Sequence, residues 1–131
     1  MVMTSRRSTQ DQFLATDPRA SAWVSASAGT GKTHVLANRV LRLMLSGTPP
    51  QRILCLTYTR AAAAQMANRI NQTLGRWTVG ESTDLAAELS ALNGEDTDED
   101  TVMRARRLFA QVLDVPGGLN IQTLHSFCQS L

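Results

Sequence analysis

The stretch Ala26-Ser27-Ala28-Gly29-Thr30-Gly31-Lys32-Thr33 lies between a short apolar run at residues 22–24 and an amphipathic run that begins at His34. Strand, glycine-bearing loop and helix in that order form a site whose backbone N–H groups surround the phosphates of a nucleoside triphosphate. In such a loop Lys32 reaches the β- and γ-phosphates, and the Thr33 hydroxyl coordinates Mg²⁺. The stretch therefore predicts a phosphate-binding loop.

Two details bear on this interpretation. Ala26 occupies the place of the first glycine in the general pattern, which a methyl group permits if that residue keeps a negative φ. Lys32 is the only lysine in the chain, and it falls at the phosphate position. The alternative is a glycine-rich turn capped by Thr30 or Thr33, which leaves the placement of the lysine unexplained.

Length and composition are typical of one globular domain. The chain has 131 residues, of which 43% are hydrophobic, and no apolar run is long enough for a membrane span. Cys55 and Cys128 have no metal-ligand spacing, and no secretory signal is recognisable. We therefore expect a cytoplasmic protein with free thiols and no membrane contact.

Charge is segregated along the chain. Residues 1–80 hold ten Lys/Arg and two Asp/Glu, whereas residues 81–100 hold eight acidic residues and no basic one. The basic part has the sign needed for partners that carry phosphate. The acidic block at residues 95–100 is interpreted as a solvated loop.

Hydrophobic periodicity predicts an α/β domain. We expect residues 1–8 to be a disordered tail, residues 9–131 to be the domain, and residues 76–115 to be a variable helical and acidic segment within it. Buried strands are predicted at residues 21–26, 53–58 and 119–123, and the second should be covered on both faces. Helices are predicted at residues 9–14, from Lys32 to before Gly47, from Thr59 to Gly75, around residues 85–92, at residues 102–113 and from His125.

Helical spacing also assigns inward and outward positions. On the helix that starts at Lys32, the polar side is predicted to hold Asn38, Arg39 and Arg42. On the helix at 102–113, Leu108, Phe109, Val112 and Leu113 are expected inward, and Arg104, Arg106 and Arg107 outward.

Three separated stretches, read together, resemble a known family. In order and spacing they resemble three motifs of UvrD/Rep-type superfamily 1 DNA helicases. Motif I corresponds to residues 25–33, motif Ia to residues 56–63, and the Thr-x-His-x-Phe motif to Thr123-Leu124-His125-Ser126-Phe127-Cys128. The pair Thr9 and Gln12 resembles the upstream glutamine motif of that family. Within the family, the similarity points to the AddA branch of helicase-nuclease subunits in double-strand break repair.

The resemblance implies a fold and a set of roles. The fold would be a P-loop NTPase with a RecA-like parallel sheet flanked by helices, incomplete here as the N-terminal part of helicase domain 1A. Gln12 would read adenine, and residues 26–33 would bind ATP and Mg²⁺. DNA, single- or double-stranded, would be contacted by Tyr58, Thr59, Arg60, Thr123, His125 and Phe127. A second subunit resembling AddB would be the protein partner.

Each of these side chains has a structural alternative. Gln12 can be a surface glutamine, Tyr58 a strand-end aromatic and Phe127 a core residue. His125 can be a structural histidine, and His34, the first residue after the loop, can lie on the helix surface or approach the nucleotide. Arg60 stands where asparagine is common in the family, which leaves its contact open.

The acidic residues of a complete motor are not found. No apolar strand after Lys32 ends in Asp-Glu, the pair that holds Mg²⁺ and orients the attacking water. We therefore expect the chain to be the N-terminal piece of a longer helicase and to have negligible ATPase activity alone. The alternatives are a P-loop small-molecule kinase and a non-catalytic nucleotide-binding module.

Overall fold

The computed structural model describes residues 10–24 and 32–131, so the predicted tail, Thr9 and the phosphate-loop residues 25–31 lie outside the described part. Within that part no helix is long and apolar enough to cross a membrane. Its helices are α1 (residues 10–15), α2 (Lys32–Leu45), α3 (Arg60–Val79), α4 (Ser82–Asn93), α5 (Glu99–Asp114) and α6 (Leu124–Ser130); its strands are β1 (Leu54–Thr57) and β2 (Asn120–Thr123), and Pro50–Arg52 form a 3₁₀ turn.

The strands β1 and β2 form a parallel pair, in agreement with the α/β prediction. Leu54 lies opposite Asn120 and Thr57 opposite Thr123, so the two strands end at the same edge. Burial alternates along β1, and Leu54 and Leu56 are 42% and 41% exposed. The prediction that this strand is covered on both faces is therefore wrong for the described structure, since the described helices cover only one side.

The predicted first strand is also not observed where the structure describes it. Residues 21–24 are extended but pair with no strand, and Trp23 is 96% exposed. A strand is stabilised by ladder hydrogen bonds and by burial of its side chains, and this segment has neither. The remaining two residues of that prediction, 25 and 26, lie outside the described residues.

The core forms where α2, α3, α4 and α5 pack together. Its largest fully buried side chains are Trp77, Met44, Ile70, Leu74, Leu89 and Leu108. Helix α3 runs through Gly75 to Val79, so the prediction that it ends at Gly75 is wrong. A mid-helix glycine costs about 1 kcal/mol relative to alanine, and burial of Leu74 and Trp77 on either side outweighs that cost.

Helices α4 and α5 meet at the acidic segment. Gly94 ends α4 with φ +75°, as the Asn93-Gly94 pair predicted. The acidic block is only partly a loop, because Asp98 caps α5 by accepting from the Thr101 N–H at 2.8 Å and Glu99 and Asp100 form its first turn. Acidic side chains are favoured there by the partial positive charge of a helix start.

Three of the predicted side-chain orientations are wrong. Leu113, expected inward, is 67% exposed, because α5 turns only Val102, Ala105, Leu108 and Val112 into the core. Arg106, expected outward, is half-buried and donates to the carbonyls of Trp77, Thr78 and Gly80. Arg42, expected on the polar side of α2, is 8% exposed, because α1 covers that side.

Candidate nucleotide and DNA site

Lys32 and Thr33 are the first two residues of α2, and both are exposed. The first turn of this helix contains no acidic residue. Free N–H groups and the helix dipole make such a position favourable for an anion. The Lys32 ammonium therefore suits a phosphate group, and the Thr33 hydroxyl suits the Mg²⁺ bound to it. No carboxylate in this turn would repel the phosphate. The other predicted phosphate residues, Ala26, Ser27, Ala28, Gly29, Thr30 and Gly31, lie outside the described residues.

Gln12 lies near the first turns of α2. It is half-buried on α1 and lines a cavity of about 150 Å³ together with His34, Val35 and Asn38. A larger cavity of about 450 Å³, which extends to Arg69 and Arg76, is also lined by His34 and Asn38. Gln12 thus lies beside the helix that begins with Lys32, although the two residues are separated along the chain by a segment that includes the undescribed residues 25–31.

His34 is held on the helix surface by two neighbours. The Arg69 guanidinium bonds to Nδ1 of His34, and Nδ2 of Asn38 lies 3.1 Å from Nε2. Arginine can only donate, so the Nδ1 atom of His34 accepts from Arg69. Burial, and then the positive charge of Arg69, lower the pKa of His34. The lowered pKa favours the neutral imidazole form of His34, which lies on the wall of the cavity that contains Gln12.

The predicted DNA-side residues form two groups that the sheet brings together. Thr57 and Thr123 are paired at the ends of β1 and β2, so residues 58–60 and residues 124–127 follow neighbouring strands at one edge. Tyr58 is 90% exposed there, and Arg60 and His125 are also exposed. Exposed aromatic, cationic and imidazole groups at one edge can contact bases and phosphates together.

The two threonines in this set act as helix caps. Thr59 Oγ1 accepts from the Ala62 N–H at 3.1 Å and starts α3, as its position in the sequence predicted. Thr123 is buried, accepts from the Ser126 N–H at 3.2 Å and donates to Ser126 Oγ at 2.9 Å. Their hydroxyl groups are thus engaged within the chain, and Phe127, on α6, is half-buried. These two caps fix where the strand edge ends and the helices begin.

No acidic metal centre lies in the described part of the chain. Neither β1 nor β2 is followed by an acidic residue, and no group of three His, Cys, Asp or Glu side chains within residues 10–24 and 32–131 could hold a metal ion.

Sequence reasoning missed the role of Arg39. Its guanidinium donates to the carbonyls of Ala15 at 2.9 Å and Asp17 at 3.0 Å, and it also bonds to the Ala20 carbonyl. Arg39 and Arg42 thus hold the segment after α1 against α2. Their spacing of three residues places them on one helix face, but periodicity alone cannot show that a second backbone segment covers that face.

Comparison with known sequences gives one family. The sequence pattern described as the UvrD/REP helicase N-terminal domain matches residues 7–131. No solved structure matches the chain.

Several curated relatives share one name, which designates the A subunit of an ATP-dependent helicase/nuclease. The relative from Lactobacillus gasseri is 36% identical over 126 residues, which is 96% of this chain and 9% of the relative. The relative from Carboxydothermus hydrogenoformans is 35% identical over 127 residues, again 9% of the relative. The relative from Lactobacillus acidophilus is 48% identical over 67 residues, or 50% of this chain and 6% of the relative. The chain therefore spans less than a tenth of the length of these relatives.

The match to the family covers nearly the whole chain, including Lys32 at the start of α2 and both groups of residues at the strand edge. The chain therefore belongs to the UvrD/REP helicase family, in the N-terminal domain of that family.

Proposed function

We propose that the chain is the ATP- and DNA-binding N-terminal part of an ATP-dependent DNA helicase that acts in the recombinational repair of double-strand breaks. The fold is then the first part of a RecA-like P-loop domain. The observation that carries the proposal is the strand edge at which Tyr58, Arg60 and His125 are exposed together, directly after two parallel strands. Ligands of open α/β sheets bind at this edge.

The nucleotide side uses α1 and the start of α2. The Lys32 ammonium would neutralise the β- and γ-phosphates, and the Thr33 hydroxyl would ligate Mg²⁺. The Gln12 amide has both a donor and an acceptor, as the edge of adenine requires. When bound, ATP supplies the energy of phosphate hydrolysis. The residues of this chain bind and orient it, and the chain alone is proposed to hydrolyse ATP negligibly.

The DNA side can hold a strand without reading its sequence. The Tyr58 ring can stack on a base, because every base offers a π-face. Arg60 and His125 can contact phosphates, and the half-buried Phe127 on α6 can add apolar surface. Thr59 and Thr123 would act by capping the helix starts that carry Arg60 and His125.

The shared name of the relatives supports a larger assembly. That name includes both a helicase and a nuclease, and the word subunit implies a partner. We propose that the whole protein has these activities, resides in the cytoplasm and pairs with a second subunit resembling AddB. The remaining motor and nuclease residues would belong to parts of the protein beyond this chain.

The test is ATP hydrolysis by the full-length protein with and without single-stranded DNA. Lys32→Ala should reduce turnover by about 10²-fold or more, since it removes one charged group from the transferring phosphates. Tyr58→Ala should raise the half-saturating DNA concentration by about five- to a hundredfold, as expected for one stacked base. Leu113→Ala, at another exposed apolar side chain, is the matched control and should change neither value.

Three results would contradict the proposal. Absence of stimulation by single-stranded DNA would favour a small-molecule phosphotransferase. Unwinding retained by Lys32→Ala would favour a module in which nucleotide is only structural. Equal effects of Tyr58→Ala and Leu113→Ala on DNA affinity would show that Tyr58 does not contact DNA.

A further inference from the structure

Two arginines of α2 bind the backbone that follows Gln12. Arg42 donates to the Phe13 carbonyl at 3.2 Å and to Thr16 Oγ1 at 2.7 Å. Arg39 donates to the carbonyls of Ala15 and Asp17 and bonds to that of Ala20. Two guanidinium groups thus satisfy four carbonyls and one hydroxyl of a single short segment. We refer to Arg39, Arg42 and these acceptors as the arginine clamp.

The clamp provides hydrogen-bond donors for the carbonyls at the end of α1, which a short helix cannot supply by itself. A helix of about two turns is unstable alone in water, and its last carbonyls have no partner within the helix. Hydrogen bonds from a charged donor are about twice as strong as neutral ones, and a cation is also favoured at a helix C-terminus. The position of α1 on the domain is therefore set largely by α2.

Phe13 extends the clamp to a third helix. Its ring lies under the Arg42 guanidinium, 4.7 Å from the ring centroid. On another side it packs against Gly94 at the end of α4, so closely that a β-carbon there would be 2.4 Å from Phe13 Cζ. Gln12 is the residue before Phe13, so anchoring both the ring and the carbonyl of Phe13 fixes the backbone that carries Gln12.

The clamp and the phosphate site share one rigid element. Arg39 lies about two helical turns, roughly 10 Å, along α2 from Lys32. The same helix therefore carries the group for the phosphates at its start and the groups that hold α1 in its middle. The placement of Gln12 relative to the start of α2, where Lys32 lies, is thereby set by α2 itself, and this placement must suit the distance from phosphate to base in the nucleotide.

We infer that Arg39 and Arg42 are positioning residues for base selectivity: they hold Gln12 at the distance from Lys32 at which it can bind the base of the nucleotide. This inference rests on the proposed function, in which Gln12 contacts the base. In this role Arg39 and Arg42 act through α1, whose following segment they bind, and not by contact with the nucleotide.

The experiment measures dissociation constants of ATP and GTP for the full-length protein by calorimetry, without DNA. The variants are Gln12→Ala, Arg39→Ala and Arg39→Lys, and Arg52→Ala is the control at an exposed arginine outside the clamp. Arg39 is chosen because it is only half-buried, whereas removing the buried Arg42 would leave Thr16 without its donor.

Loss of one base-directed hydrogen bond predicts that Arg39→Ala lowers the preference for ATP over GTP by about tenfold. Arg39→Lys should keep part of the preference, because an ammonium can still donate to these carbonyls. Arg39→Ala combined with Gln12→Ala should lower it no further than Gln12→Ala alone. Arg52→Ala should leave it unchanged.

The outcomes separate this inference from the proposed function. If Gln12→Ala abolishes the preference and Arg39→Ala leaves it intact, the clamp is only structural and the inference is wrong. If Arg39→Ala weakens ATP and GTP equally, the clamp has no role in selectivity. If Gln12→Ala leaves the preference unchanged, the base contact assigned to Gln12 fails, and the clamp inference with it. If the wild-type protein binds neither nucleotide, the proposed function itself fails.

Discussion

Gly94→Ala should destabilise the fold strongly because of two separate features of its site. Gly94 has φ +75°, a conformation that costs an L-residue about 1–2 kcal/mol. A β-carbon there would also lie 2.4 Å from Phe13 Cζ and 2.9 Å from Cε2. The ring must move by about 1 Å to regain a normal contact of about 3.5 Å.

A movement of that size would disturb the contacts of the half-buried Phe13 side chain. The Arg42 guanidinium lies over it, and the Phe13 carbonyl accepts from the same side chain. Overpacking of a well-packed site costs typically about 1–3 kcal/mol. With the backbone cost, we expect Gly94→Ala to lower the free energy of unfolding by about 2–5 kcal/mol. That is a large part of the roughly 5–15 kcal/mol that stabilises an ordinary domain.

Gly75→Ala is the matched control, because the same chemical change should have the opposite sign. Gly75 lies inside α3, has no positive φ, and a β-carbon there meets nothing within 4 Å. Alanine at such a site should raise the free energy of unfolding by about 0.5–1 kcal/mol. Urea unfolding of the 131-residue chain, followed by the fluorescence of the buried Trp77, measures both variants.

A double-mutant cycle separates the two costs at Gly94. In a Phe13→Leu background the steric part should disappear, so the cost of Gly94→Ala should fall to the backbone value of about 1–2 kcal/mol. Equal signs for Gly75→Ala and Gly94→Ala would refute the conformational reasoning. An unchanged cost in the Phe13→Leu background would refute the clash.

Two further predictions concern titratable groups. Because the pKa of His34 is lowered below its ordinary 6.5, the unfolded chain binds this proton more readily than the folded one, so stability should fall as the pH falls through 6.5. Unfolding measured from pH 8 to pH 5 should show this slope, and His34→Gln should flatten it; an identical slope in the variant would assign it to other groups. Burial raises the pKa of the half-buried Cys55 thiol, so iodoacetamide at pH 8 should modify the exposed Cys128 first. Peptide mass spectrometry gives the order, and faster modification of Cys55 would contradict the burial.

Local patterns in the sequence predicted most of the elements and their caps. The apolar spacing after Lys32 indicated α2, Thr59 was identified as the cap of α3, and Asn93-Gly94 marked the end of α4. These features depend on neighbours within a few residues, which the sequence contains in full. The resemblance to the helicase family rested on short motifs of the same kind, and the family match over residues 7–131 confirms it.

Local sequence patterns did not predict the features that depend on residues distant in the chain. Helix α3 continues through Gly75 because the Trp77 side chain is buried among other helices. Strand β1 is exposed on one face because the described helices pack only against its other face. Residues 21–24 have strand-like composition but no neighbouring strand in the described part of the chain.

The sequence alone predicts the phosphate-binding stretch at residues 26–33, because a glycine-bearing loop before a helix specifies its own chemistry locally. The surroundings of that stretch were decided by tertiary structure. The parallel pairing of β1 with β2 brings Tyr58 and His125 to one edge, although they are far apart in sequence. The bonds of Arg39 and Arg42 place Gln12 beside α2, because carbonyls at the end of a short helix require donors that only another element can supply.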